Sequence, residues 1–158
     1  MGLRQMRLAL LERGLDGLDR WAQRGGRAGS PAHLRAGIAG EDAAFFYLLR
    51  EGYTVAARRW SAGNVPGDVD LIAWQGSLLC FVEVKTRTAR DNTPAETAVD
   101  GHKRHVLRRL AHAYIRQLPQ AEPPQVRFDV ISVYLVPNQK PEFMHFENAF
   151  GWTEHREI

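Results

Sequence analysis

The sequence predicts a mixed α/β domain with the element order α-β-β-β-α-β-β, preceded by a helical extension. Three observations carry that expectation. Short runs rich in Val, Ile, Leu and Phe are bounded by Gly, Pro and Asn, as strands are. Two segments of the domain instead repeat apolar residues at helical spacing. One of these stands between two apolar strands, and such a crossover lets its flanking strands pair in parallel. The expected result is a mixed sheet with helices on its faces.

The elements follow in order. Residues 3–22 place Leu8, Leu11, Leu15, Leu18 and Ala22 on one side of an amphipathic helix. The next stretch, with Gly25, Gly26, Gly29 and Pro31, breaks the period and reads as a basic linker. The domain boundary is expected near residue 36, giving a basic helical extension over 1–36 and an α/β domain over 37–158. A helix is expected over 37–51, with Ala39, Ala43, Phe46 and Tyr47 as its apolar stripe and Gly52 as its stop. Residues 53–60 read as a strand, and 61–67, with Gly63, Asn64, Pro66 and Gly67, as a loop. Val69 to Trp74 and Leu78 to Thr86 read as a hairpin turning at Gln75-Gly76. After a polar stretch over 87–94, a helix runs from 95 or 101 to 117, with Val106, Leu107, Leu110, Ala113 and Tyr114 inward. A long apolar strand over 126–136 and a short one over 141–147 complete the domain.

The composition sets limits. The chain has 158 residues, enough for one compact domain. Hydrophobic residues make up 44% and charged residues 25%, which excludes general disorder, collagen and a disulfide scaffold. No stretch approaches about 18 uninterrupted apolar residues, so no membrane span is expected. The start lacks the apolar core of a secretory signal, and a cytoplasmic location is the expectation. Cys80 is the single cysteine, so neither an internal disulfide nor a thiolate metal cage can form. In the run Leu78 to Val82 it reads as a buried, inert thiol. The net charge of +3 is unevenly placed. Residues 1–36 hold seven Arg against three acids, whereas 37–158 hold 14 basic and 15 acidic groups. The basic excess therefore belongs to the extension.

The chemistry concentrates in Gly67-Asp68-Val69-Asp70-Leu71-Ile72-Ala73 and Phe81-Val82-Glu83-Val84-Lys85-Thr86-Arg87. Ionisable groups interrupt what would otherwise be two buried strands. Buried carboxylates must be paired, hydrated or bound to a cation. Side chains alternate along a strand, so Asp68 and Asp70 share a face, as do Glu83 and Lys85. A turn at Gln75-Gly76 sets Asp68 opposite Glu83 and Asp70 opposite Phe81, with Glu83 on the diagonal at about 7 Å. Acids converging in excess of cations suit a hard ion, magnesium or manganese, that keeps several waters. Held by Asp70 and Glu83, with the Val84 carbonyl as a further ligand, such an ion can polarise a phosphoryl oxygen and acidify a bound water. Lys85 can orient that water or stabilise the developing charge. No Ser or Cys has a base nearby in sequence, so a nucleophilic triad is not expected.

The combination resembles the YraN family of predicted endonucleases, which is similar to Holliday-junction resolvases. That family lies within the restriction-endonuclease-like superfamily, whose signature is an Asp followed by Glu-x-Lys. The likeness covers about residues 37–136. It rests on Gly40-Glu41, Gly52-Tyr53, Arg58-Arg59, the 67–73 block, Phe81 to Arg87, Lys103 and Arg127-Phe128-Asp129-Val130. It implies a restriction-endonuclease-like fold and metal-dependent hydrolysis of DNA, with branched or single-stranded forms favoured and a homodimer as an expected assembly. By this likeness Asp70 and Glu83 are metal ligands, Lys85 the catalytic lysine, and Glu41 a further acid presented from the helix. The family usually has Glu where this chain has Asp68, whose role stays open, and residues 1–36 lie beyond the likeness. A nucleic-acid-binding module with little catalysis is the alternative.

Other residues carry paired readings. Arg58, Arg59, Arg87, Lys103 and Arg104 are either phosphate contacts or solvated surface. His102 and His105 have a spacing compatible with a metal, but no third ligand is indicated. Asp129 is expected to pair with a nearby basic group. Trp60, Trp74 and Trp152 are expected to pack rather than stack on bases. Residues 1–36 read either as a docking or self-association surface or as the product of an upstream start codon.

Overall fold

The computed structural model describes residues 32–90 and 99–153. The helix expected over 3–22, its linker and most of the polar connection before the second core helix lie outside the described residues. The described residues form seven elements: α1 (Ala32–Arg50), β1 (Thr54–Ala62), β2 (Val65–Gln75), β3 (Leu78–Arg87), α2 (Gly101–Ile115), β4 (Val126–Tyr134) and β5 (Glu142–Phe150). They keep the expected order. The sheet runs β1-β2-β3-β4-β5, antiparallel except for β3 and β4, which pair in parallel across the α2 crossover.

Burial divides by face. Ile72, Leu79, Phe81, Phe128 and Val130 pack with Leu107, Leu110 and Ala111 of α2. Leu71, Ala73, Cys80, Val82, Ile131 and Val133 pack with Ala44 and Leu48 of α1. The alternation along β3 and β4 follows the two-residue strand period, and the sheet is covered on both sides.

Several boundaries differ from expectation. The break signals end at Pro31, and Ala32 to Ala36 contain no helix breaker. Helix α1 accordingly begins at Ala32, and the boundary set at residue 36 falls inside it. The stretch expected as a loop over 61–67 is a Gly63-Asn64 turn followed directly by β2. Pairing skips between Trp60↔Val69 and Ala62↔Val65, so Pro66 and Gly67 occupy a bulge where no ladder donor is required. Gly67 has φ 99° there. The β2–β3 turn is Gly76-Ser77, one residue later than expected, with Gln75 opposite Leu78 and Gly76 at φ 60°. Opposed residues therefore shift by two positions, a full pleat, and the side chains from Leu71 to Val82 keep their faces. Helix α2 begins at Gly101, where the Asp100 side chain caps it by accepting the Lys103 N–H at 2.8 Å. Strand β4 ends at Tyr134, and β5 extends to Phe150 rather than 147. Among the described residues no helix is long and apolar enough to cross a membrane.

Candidate active site

The site forms where β2 parts from β3. The antiparallel ladder runs from Gln75↔Leu78 to Leu71↔Val82. Beyond it, the Val84 N–H donates to Asp70 Oδ2 at 2.7 Å, a side chain taking the bond of a strand neighbour. Val69 packs with the α2-side core and Leu71 with the α1-side core, although residues two apart normally share a face. The strand thus turns over at Asp70. The observed register sets Ile72, not Asp70, opposite Phe81. This corrects the expected pairing of Asp68 with Glu83: Asp70 is the acid that counts to Glu83.

Both carboxylates are buried, Asp70 at 9% and Glu83 at 5% exposure. Burial pushes the Asp70 carboxyl up to about 8, the Glu83 and Glu41 charges add to it, and the Val84 N–H and Lys103 oppose it. Two ammonium groups face Glu83. Lys85 Nζ lies 3.1 Å from Oε1, and Lys103 Nζ lies 3.2 Å from Oε2. Oε2 accepts no aligned hydrogen bond, so its contact with Lys103 is one of charge. Lys103 Nζ donates instead to the Asp68 carbonyl at 3.2 Å.

Glu41 arrives from α1 through a close helix–strand contact. A Cβ on Gly40 would stand 1.8 Å from Thr86 Oγ1, so only glycine allows the helix to sit this near β3. Its neighbour Glu41 then lines a cleft of about 480 Å³ with His33, Asp70, Glu83, Val84 and Thr86. His33 belongs to the first turn of α1, ahead of residue 37, where the sequence pattern predicts extension rather than site. A larger hollow of about 670 Å³, lined by Thr54, Trp74, Gly76, Ser77, Gln120, Pro124 and Gln125, offers no ionisable side chain.

The remaining candidates disperse. Asp68 is half-buried, and its carbonyl holds Lys103. Arg58 pairs with Asp42 and lies 4.7 Å over the Phe45 ring. Arg59, in the left-handed region at φ 47°, hydrogen-bonds Glu41. Both arginines are thus engaged by the acids of α1. Arg87 is half-buried at the end of β3, where its carbonyl accepts the Leu135 N–H at 2.8 Å. Arg104 Nε donates to the Val99 carbonyl at 2.9 Å. Lys103 reaches the buried Glu83, and it does so as a charge partner. His102 and His105 lie exposed on α2.

Among the described residues no group of three or more His, Cys, Asp or Glu forms a metal cage. The set that is present, two buried carboxylates with Val84 and Glu41 lining the same cleft, is nonetheless one that magnesium accepts, because that ion keeps most of its waters. Glu83 Oε2, buried without an aligned hydrogen bond, is an oxygen available to such an ion. The residues fit the ion.

Away from the cleft, Asp129 is fully buried and paired as expected. Arg127 bonds it twice, at 2.8 and 2.9 Å, His145 Nε2 lies at 2.8 Å, and the Asn148 N–H donates at 3.0 Å. Burial pushes its carboxyl up, but the His145, Arg127 and Asn148 bonds outweigh that and hold it below its ordinary value. Cys80 is fully buried, and burial raises its thiol to about 11. Trp60 packs edge-on against Tyr114, and Trp74 packs on the α2-side core. Trp152 is 39% exposed yet lies against Phe128 and His112.

A family model described as uncharacterised protein family UPF0102 matches residues 40–133, which include Glu41, Asp70, Glu83, Lys85 and Lys103. The chain belongs to the UPF0102 family. A UPF0102 protein of Koribacter versatilis is 46% identical over 120 residues, 76% of this chain and 82% of that one. Another, from Symbiobacterium thermophilum, is 44% identical over 73% of this chain and 96% of its own length. A third, from Porphyromonas gingivalis, is 39% identical over 75% of this chain and 85% of its own. In this UPF0102 chain the matched span contains the complete β2–β3 hairpin and α2, the elements that bring the two carboxylates and both lysines together.

Proposed function

We propose that this UPF0102 chain is a metal-dependent endonuclease-like protein of the YraN, restriction-endonuclease-like kind that hydrolyses phosphodiester bonds in DNA. The observation carrying this reading is the meeting of Asp70 and Glu83 at the parting of β2 and β3, in a cleft shared with Glu41, with the Lys85 ammonium 3.1 Å from Glu83 Oε1. Asp70, Glu83 and the Val84 carbonyl are the groups that would hold magnesium or manganese. When bound, such an ion would supply charge stabilisation at the phosphoryl group and a water more acidic than bulk water. The Val84 N–H fixes the Asp70 carboxylate in one orientation. Lys85 Nζ, already at the carboxylate, is in place to donate to a phosphoryl oxygen as its charge grows. Glu41, tied by Arg59, offers a fixed acceptor in the same cleft. Branched or single-stranded DNA is the substrate class favoured by the likeness to resolvases, and a homodimer suits cutting of paired strands.

The test is incubation with duplex, single-stranded and four-way-junction DNA in Mg²⁺ or Mn²⁺, beside Lys85→Ala. Cleavage by the native chain, reduced at least about a hundredfold in the variant, is expected. Equal cleavage by both refutes the assignment. A second reading, a DNA-binding module without turnover, is favoured by Asp68, one methylene shorter than the Glu the family usually has there. Binding without cleavage in either metal selects it.

A further inference from the structure

We propose that Lys103 is a stand-in for the divalent ion: its ammonium neutralises Glu83 in the metal-free protein and yields Oε2 when the ion enters. This rests on reading Asp70 and Glu83 as metal ligands. The buried Glu83 carboxylate, beside the Asp70 carboxyl, carries a charge that the interior cannot leave uncompensated. The chain answers with two ammonium groups from different elements. Lys85 of β3 takes one oxygen of Glu83, and Lys103 of α2 takes the other.

The two contacts differ in kind. Lys103 spends its aligned hydrogen bond on the Asp68 carbonyl and faces Oε2 by charge alone. It can therefore release Oε2 without losing its anchor. An ion bound to Oε2 and an ammonium 3.2 Å from the same oxygen repel at close range in a poorly screened site. Entry of the ion and departure of the ammonium are one exchange, and Lys103 lowers the affinity of the free protein for metal. An outward basic side chain gripping phosphate would have no such effect.

Calorimetric titration of the full chain with Mn²⁺, without nucleic acid, tests this. Lys103→Gln removes the charge and leaves a polar side chain one atom shorter than the ammonium's reach. It is expected to bind Mn²⁺ about tenfold more tightly than the native chain, ~1.4 kcal/mol. Arg109→Gln, exposed on the same helix, controls for net charge and is expected within about twofold of native. Equal or weaker binding by a folded Lys103→Gln overturns the proposal and leaves the metal site standing. Absence of any Mn²⁺ binding that depends on Asp70 overturns the metal reading, and this proposal with it. If Lys103→Gln does not fold, the native chain decides through the Lys103 ¹⁵Nζ resonance. Its ammonium is expected to lose protection from solvent exchange as Mg²⁺ is added, and unchanged protection overturns the proposal.

Discussion

Replacing Asp70 by Asn should stabilise the metal-free protein, although it removes the central acid of the cleft. The Asp70 carboxyl is raised from 3.8 to about 8 by burial and by Glu83. A carboxyl raised on folding holds its proton in the native state and loses it in the unfolded chain. Its contribution is therefore intact below about pH 4 and is lost as pH rises through about 8. At pH 7 the gap from 3.8 is about three units, or ~4 kcal/mol at about 1.36 per unit. Local relaxation and water entry reduce that figure, and a gain of at least ~1 kcal/mol is expected. The substitution leaves an amide oxygen that still accepts the Val84 N–H, so the charge is removed with little change of shape. The assay is urea unfolding in EDTA from pH 5 to 8.5. Native stability should fall across that range, and Asp70→Asn should fall less and overtake it. Excess Mn²⁺ should restore the native protein at pH 8, by ~2.7 kcal/mol at about a hundredfold over its dissociation constant, and leave the variant unmoved. A variant less stable than native at every pH, or one with the same slope, refutes the reasoning.

Two further outcomes follow from packing and from the buried ion pair. Gly40→Ala forces α1 away from Thr86 and should cost ~1–3 kcal/mol in denaturant unfolding; Thr86→Ala in the same chain should return part of it, and strict additivity would show that the contact is not the cause. Asp129→Ala leaves His145 without its anion and Arg127 with only the exposed Glu147, and should cost ~3–5 kcal/mol. Because the Asp129 carboxyl is held below its ordinary value, its contribution is full above about pH 4 and fades in acid. The deficit of the variant should therefore shrink as pH falls, and a constant deficit would contradict the ion-pair account.

What the sequence made legible was whatever depends on local periodicity. The apolar runs of β3 and β4, the helical stripe of α2 and the crossover between them gave the element order and the parallel pair. The β2–β3 turn was misplaced by one residue, yet the error in register was two, an even number, so Asp70 and Glu83 were still expected near one another. What stayed hidden depends on contacts distant in sequence. Arg58 and Arg59 look like free cations until α1 brings Asp42 and Glu41 onto them. Lys103 reads as one charge of a basic helix, and only the docking of α2 turns it towards Glu83. Pro66 and Gly67 carry loop signals that a bulge also satisfies, so the start of β2 was read too late. His33 was obscured by the reading of its neighbours as linker.

Asp129 lies where the β4–β5 pairing skips, between Phe128↔Phe150 and Val130↔Phe146. Its carboxylate reaches across that gap to His145 and to the Asn148 N–H. Were the outermost strand to slide by two residues, its pleat would still match, but a fully enclosed anion would lose its mates. Strand β5 thus has one seat on the sheet. A rim bolted in this way resists being peeled off and traded between molecules, which is the usual failing of an outer strand.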